Sequence, residues 1–141
     1  MKYVLDSSVA VKWTLTEADS DKARRLRDQF QQGQHQLIAP DWFILEVQDI
    51  LGKAAARLII TEQEAVQGFA LIMRDAPILH PSVPLSSSAF QLALTHRRAV
   101  YDCLYLALAF REKCELVTAD DALVRQLQPI YGCLVSLASL P

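Results

Sequence analysis

The stretch Leu104-Tyr105-Leu106-Ala107-Leu108-Ala109-Phe110 carries no charge, and the helix it predicts, Tyr101 to Lys113, is apolar nearly all round. A helix of that kind is stable only when it is buried. Membrane burial is excluded, because a span takes about 18 or more consecutive apolar residues and no run in the chain is that long. The covering material must come from the chain itself. With 141 residues, 52% of them hydrophobic, residues 1–141 suffice for one compact domain with a real core.

The remaining elements alternate in type. Lys2 to Leu5 reads as a short buried strand ending at Asp6. Ser7 to Leu15 has helical spacing, and Thr16 to Phe30 runs from an acidic start to a basic end, as a helix dipole favours. Gln31 to Gln36 is a loop, and Leu37 to Ala39 a short apolar segment. Pro40-Asp41 then opens a helix from about Trp42 to Arg57, with Phe43, Val47, Ile50 and Ala54 on one stripe. Thr61-Glu62-Gln63-Glu64 is a capping box that starts a helix to about Arg74. A short strand is expected within Pro77 to Pro84, despite the three prolines there. Ser86 to Arg98 is a helix, Glu115 to Thr118 a strand, Ala119-Asp120-Asp121 opens a short helix to Gln128, and Cys133 to Leu137 is a last strand. Strands alternating with helices predict an α/β fold, a three-layer α/β/α sandwich on a mainly parallel sheet.

Cys103, Cys114 and Cys133 are odd in number and lack Cys-x-x-Cys spacing, so they read as reduced thiols. His35, His80 and His96 lie too far apart for the usual zinc patterns. The start Met1-Lys2-Tyr3-Val4-Leu5-Asp6 is interrupted by an acid and is no signal peptide, so a cytoplasmic location with no membrane partner is expected. A net charge of −2 does not advertise a polyanion ligand, although a site lined with acids would lower the count in any case.

Four of those acids stand out: Asp6, Glu46, Asp102 and Asp120. Asp6 ends the first strand, Asp120 follows the strand around Leu116-Val117, and Asp102 starts the apolar helix. In open parallel sheets, ligand sites form where strands end and helices begin. Any one of these three is also explained as a helix cap. Glu46 has no such explanation. It shares a helical face with Phe43 and Ile50, where an acid is costly unless it reaches water at an edge or something compensates it. Two carboxylates ~4 Å apart repel by roughly 4 kcal/mol at an effective dielectric of 20. A cluster of four therefore calls for a cation or raised pKa values. Mg²⁺ or Mn²⁺ suits an all-oxygen site.

One or two such ions can activate water against a phosphodiester. The competing chemistries lack their parts. There is no Gly-rich phosphate loop, no second acid two residues after Asp6 for a phospho-intermediate, and no evident partner for a histidine in a nucleophile triad.

Four segments in order carry a resemblance: Val4-Leu5-Asp6-Ser7-Ser8-Val9, Pro40 through Glu46-Val47 to Leu51, Tyr101-Asp102-Cys103-Leu104-Tyr105-Leu106-Ala107, and Leu116-Val117-Thr118-Ala119-Asp120. Together they resemble the PIN-domain ribonucleases, and more narrowly the VapC toxins of toxin–antitoxin pairs. The resemblance implies an endoribonuclease dependent on Mg²⁺ or Mn²⁺, with Asp6, Glu46, Asp102 and Asp120 as metal ligands. It implies that Ser7 or Ser8 and Thr118 help order the site. It further implies an RNA substrate, a homodimer, and a VapB-type antitoxin laying its C-terminal segment in a groove beside the site. A PIN-fold nuclease of RNA maturation, or a catalytically silent PIN-fold binding module, are the alternatives.

The chain departs from the family pattern at Asp49, where many relatives carry Asn. It is either an additional metal ligand or a hydrogen-bonding substitute. Asp121 competes with Asp120 by position, and the family pattern favours Asp120. Among the basic residues, Lys12, Lys53, Arg57, Arg97 and Arg98 are candidates for phosphate contact, Arg97 and Arg98 because they stand just before Asp102. The alternative for these two is a cationic helix C-terminus. Trp13 and Trp42 are read as core or groove residues before base-stacking ones.

Overall fold

A computed structural model describes residues 1–141. In chain order the elements are β1 (Lys2–Leu5), α1 (Ser7–Ala10), α2 (Ser20–Gln31), β2 (Gln36–Pro40), α3 (Trp42–Ala56), α4 (Glu62–Arg74), β3 (Ile78–His80), α5 (Ser86–His96), α6 (Val100–Glu112), β4 (Glu115–Thr118), α7 (Asp121–Leu127) and β5 (Leu134–Ser136). The five strands form one sheet in the order β3-β2-β1-β4-β5, and every pairing is parallel.

Consecutive strand residues are buried together: Val4 with Leu5, Leu37 with Ile38 and Ala39, Leu116 with Val117. Successive side chains of a strand point to opposite faces, so both faces of this sheet are covered. The apolar helix α6 supplies much of that cover. It packs on β1, β2 and β4 with α5 beside it, and Cys103 to Ala109 are all buried.

Several boundaries differ from the sequence reading. The segment predicted as one helix from Ser7 to Leu15 is α1 followed by a 3₁₀ turn at Val11–Trp13. Helix α2 begins at Ser20 and not at Thr16, because Asp19 adopts a left-handed backbone that stops the helix there. Helix α5 ends at His96, where left-handed Arg97 breaks it. The Thr61 capping box forms in full: the Thr61 hydroxyl accepts from Glu64 N–H, and the Glu64 carboxylate accepts from Thr61 N–H. Asp41 does not cap α3 with its own side chain. Its Oδ1 instead accepts Ser82 N–H at 3.0 Å, and the Ser82 hydroxyl accepts Trp42 N–H at 3.1 Å.

No helix is long and apolar enough to cross a membrane.

Candidate active site

The strand order fixes where the site lies. From β1 the chain builds outward through β2 and β3, then returns to the other side of β1 for β4 and β5. The β1–β4 border is therefore the topological switch point, where a crevice opens beyond the strand ends. Asp6 follows β1 there and Asp120 follows β4.

Asp6 is buried at the centre. Its Oδ2 accepts hydrogen bonds from the Ser8 hydroxyl at 2.5 Å and the Thr118 hydroxyl at 2.9 Å. Those donors favour the carboxylate, but burial and the neighbouring Glu46 charge outweigh them and push the Asp6 pKa up to about 7. Asp102 adds to the same effect. Glu46 comes in from α3. Its Oε1 accepts from the Ser7 hydroxyl and, at 3.0 Å, from the Tyr105 phenol. Burial raises the Glu46 pKa against these donors, with Asp102 again contributing. Asp102 enters on the first turn of α6, and its pKa too is raised by burial, held in check by Arg98. Asp120 lies next to Asp102.

The structure thus brings the four acids to one crevice, each affecting the next. It also separates their helix-capping roles. Asp120 caps α7, its Oδ1 accepting Leu123 N–H at 3.1 Å. Asp6 makes no capping bond, and Asp102 lies inside α6, three residues past its N-cap at Ala99. Capping accounts for one acid and leaves the other two without a local reason.

Serine 7, Ser8 and Thr118 all reach the acids. Ser8 also accepts Ala119 N–H at 3.0 Å, and Thr118 accepts Asp120 N–H at 3.1 Å, so the loop after β4 is tied to the loop after β1. Asp49 points outward, 61% exposed, and pairs with Lys53 at 2.8 Å. Asp121 is exposed in the first turn of α7. Arg97 is exposed, whereas Arg98 turns inward and contacts both Asp102 and Asp120. Trp13 is core, its indole donating to the Ala23 carbonyl at 3.0 Å.

Sequence reasoning missed Tyr105 and the Trp42–Tyr101 pair. A tyrosine within an aliphatic helix signals a phenol that needs a buried partner, and here the partner is Glu46. Burial and the Asp6 and Glu46 charges raise the Tyr105 pKa, so it remains a donor. Trp42 and Tyr101 stack with ring centroids 4.2 Å apart and planes 9° from parallel. That contact clamps the first turn of α3 to the first turn of α6 and so holds Glu46 near Asp102.

As the side chains stand, no three acidic groups converge tightly enough to hold a metal ion. The donor chemistry nonetheless suits one. Asp6 Oδ1, Glu46 Oε2 and Asp102 Oδ1 accept no hydrogen bond within the chain. Three buried or half-buried carboxylates with raised pKa values, of which only Asp102 is paired with a cation, are a set of hard oxygen ligands.

Residues 3–126 match the PIN domain family. The chain belongs to that family. Within it, the chain is 33% identical over 138 residues to "Ribonuclease VapC3" of Pyrobaculum aerophilum, covering 96% of this chain and 99% of that protein. It is also 33% identical over 126 residues to "Ribonuclease VapC12" of Mycobacterium tuberculosis, covering 86% of this chain and 89% of that one. These levels place it among the VapC-type PIN proteins. The fold agrees. The crystal structure of PAE2754 from Pyrobaculum aerophilum matches with a TM-score of 0.68 at 20% identity, over 98% of this chain and 93% of that one. That of Mycobacterium tuberculosis VapC20, described as a sarcin-ricin loop cleaving toxin, matches with a TM-score of 0.62 at 14% identity, over 83% and 87%. In this PIN protein the switch-point crevice and the four acidic segments coincide.

Proposed function

We propose that this VapC-type protein is an endoribonuclease that uses Mg²⁺ or Mn²⁺ to cleave RNA phosphodiesters, and that it acts as the toxin of a toxin–antitoxin pair. The observation that carries the reading is the trio Asp6, Glu46 and Asp102, gathered at the switch point with raised pKa values and one unengaged oxygen each. Such a set carries more negative charge than its surroundings offset, and a divalent cation compensates it by displacing the protons that the raised pKa values hold. An ion bound there supplies an activated water and positive charge for the leaving oxygen.

The chain's own residues do the rest. Ser8 and Thr118 orient Asp6, and Ser7 and Tyr105 orient Glu46, leaving the opposite oxygen of each free to bind. The exposed Arg97 is available for an RNA phosphate. Asp49 serves as a hydrogen-bonding and ion-pairing residue, since its carboxylate is held by Lys53. A single 31-residue core supports reading residues 1–141 as one domain. The three free thiols suit a reducing cytoplasm.

The antitoxin reading has its own support. A groove of about 640 Å³ adjoins the site through Ser8 and Ala119, lined by the apolar Val11, Leu15 and Ile50, the cations Lys12, Lys53 and Arg57, and the acid Glu17, which pairs with Lys12. It suits an amphipathic acidic segment of a VapB-like partner. A homodimer is part of the same proposal.

Incubation of the purified protein with RNA and Mn²⁺ tests the central claim. Cleavage that stops on chelation, and that Asp102→Asn reduces by about 10² or more, supports it. Undiminished cleavage in chelator overturns it. A short reading frame just upstream, encoding a protein that co-purifies with this one, supports the toxin assignment over a lone RNA-maturation nuclease.

A further inference from the structure

One side of the crevice already holds a cation. Arg98 Nη2 donates to Asp102 Oδ2 at 3.2 Å and to Asp120 Oδ2 at 3.4 Å, a single nitrogen bridging two carboxylates. Its Nη1 donates to Gln126 Oε1 at 2.8 Å, and Gln126 Nε2 donates to the His96 carbonyl at 2.7 Å. The backbone fixes where this side chain starts. Arg97 is left-handed at φ 54°, and Arg98 N–H returns to the Ala93 carbonyl at 3.2 Å, closing the end of α5. The Arg98 side chain is only 16% exposed. Helices α6 and α7 therefore grip one guanidinium, and the end of α5 fixes the backbone it hangs from.

The carboxylate oxygens divide accordingly. Both oxygens of Asp120 are engaged, Oδ1 by Leu123 N–H and Oδ2 by Arg98. Asp102 gives Oδ2 to Arg98 and keeps Oδ1. The unengaged oxygens belong to Asp6, Glu46 and Asp102. A guanidinium stays protonated at every working pH, so its charge is permanent. A divalent ion arriving between Asp102 and Asp120 would meet that charge and would have to displace it from three acceptors.

We infer that Arg98 is the resident second cation of this site, so the crevice loads one divalent ion, on the Asp6–Glu46–Asp102 side. Asp120 then anchors Arg98 and caps α7 in place of ligating metal, and Arg98 is a positioning residue for both aspartates. The inference deepens the metal-dependent reading above and rests on it.

Titration with Mn²⁺ alone, followed by calorimetry and electron paramagnetic resonance, tests it. The wild-type chain is expected to bind one ion per chain with the six-line signal of an isolated Mn²⁺. Arg98→Gln is expected to bind two, with the signal broadened by spin coupling, and Arg98→Lys to return to one. Asp120→Asn is expected to keep the single ion, whereas Asp6→Asn loses it. Thermal melting establishes that each variant is folded, and Asp120→Asn stands as an independent arm should Arg98→Gln not fold. Two ions in the wild-type chain, one ion in Arg98→Gln, or none in Asp120→Asn would overturn the inference alone. A wild-type chain that binds no Mn²⁺ overturns the metal-dependent reading and takes this inference with it.

Discussion

Thr118 donates its hydroxyl hydrogen to Asp6 Oδ2 at 2.9 Å across 112 residues of chain. The same hydroxyl oxygen accepts Asp120 N–H at 3.1 Å. One side chain, fully buried at the end of β4, thus sets the direction of the central acid and the path of the loop that carries another.

Replacing Thr118 by Val keeps the shape and removes both bonds, leaving a buried carboxylate and a backbone N–H short of a partner. The expected loss of stability is about 1–3 kcal/mol. Urea unfolding measures it, and Thr118→Ser should recover most of the loss. A Thr118→Val chain as stable as wild type would show that these bonds contribute nothing net.

Asp6 gives the stability of the metal-free protein a defined pH dependence. Its folded pKa, about 7, lies above its ordinary value of 3.8, so between these values the folded state binds more protons than the unfolded state. Stability from this group is then full below about pH 4 and is lost as pH rises through about 7. Melting in chelator should show the midpoint falling across that window. Asp6→Asn should flatten the fall and raise the midpoint at pH 8, and Mn²⁺ should stabilise the wild-type chain and not the variant.

Tyr105→Phe removes the phenol that Glu46 accepts from at 3.0 Å, in a residue only 1% exposed. The carboxylate loses a donor to its charged form, so its raised pKa rises further. The pH at which Mn²⁺ half-saturates the protein should move up, with about 1 kcal/mol lost in stability. An unmoved pH profile would show that the Ser7 hydroxyl alone suffices.

Asp49→Asn should leave Mn²⁺ affinity unchanged, because the Asp49 carboxylate is 61% exposed and turned to Lys53. Calorimetry decides this directly. A marked loss of affinity would make Asp49 a ligand after all.

Thr61→Ala deletes a capping box in which both reciprocal bonds are formed. It should cost about 1 kcal/mol, read from chemical unfolding or from faster amide exchange in α4.

Local features were legible in the chain itself. The buried character of α6, the Thr61 cap and the alternation of strands with helices follow from side-chain periodicity, which acts over a few residues. Glu46 was legible as an anomaly for the same reason, since its cost arises from the helical neighbours Phe43, fully buried, and Ile50, half-buried. The ends of α2 and α5 were not. Asp19 and Arg97 adopt left-handed backbones there without the glycine that normally announces one.

The sequence by itself placed Asp6, Asp102 and Asp120 at strand ends and helix starts and marked Glu46 as an acid on an apolar stripe, and the family pattern grouped the four. Tertiary structure decided how they differ. Only the placement of β1 beside β4 brings Asp6 and Asp120 to one crevice, and the Trp42–Tyr101 stack and the Tyr105–Glu46 hydrogen bond join the helices bearing Glu46 and Asp102. Arg98 shows the limit most clearly. Its neighbours in sequence suggest a helix-end cation, four residues before Asp102, and nothing local reveals Asp120 as its second partner. Ion pairs are set by distance in space, and a separation of 22 residues becomes 3.4 Å only when the sheet order closes it.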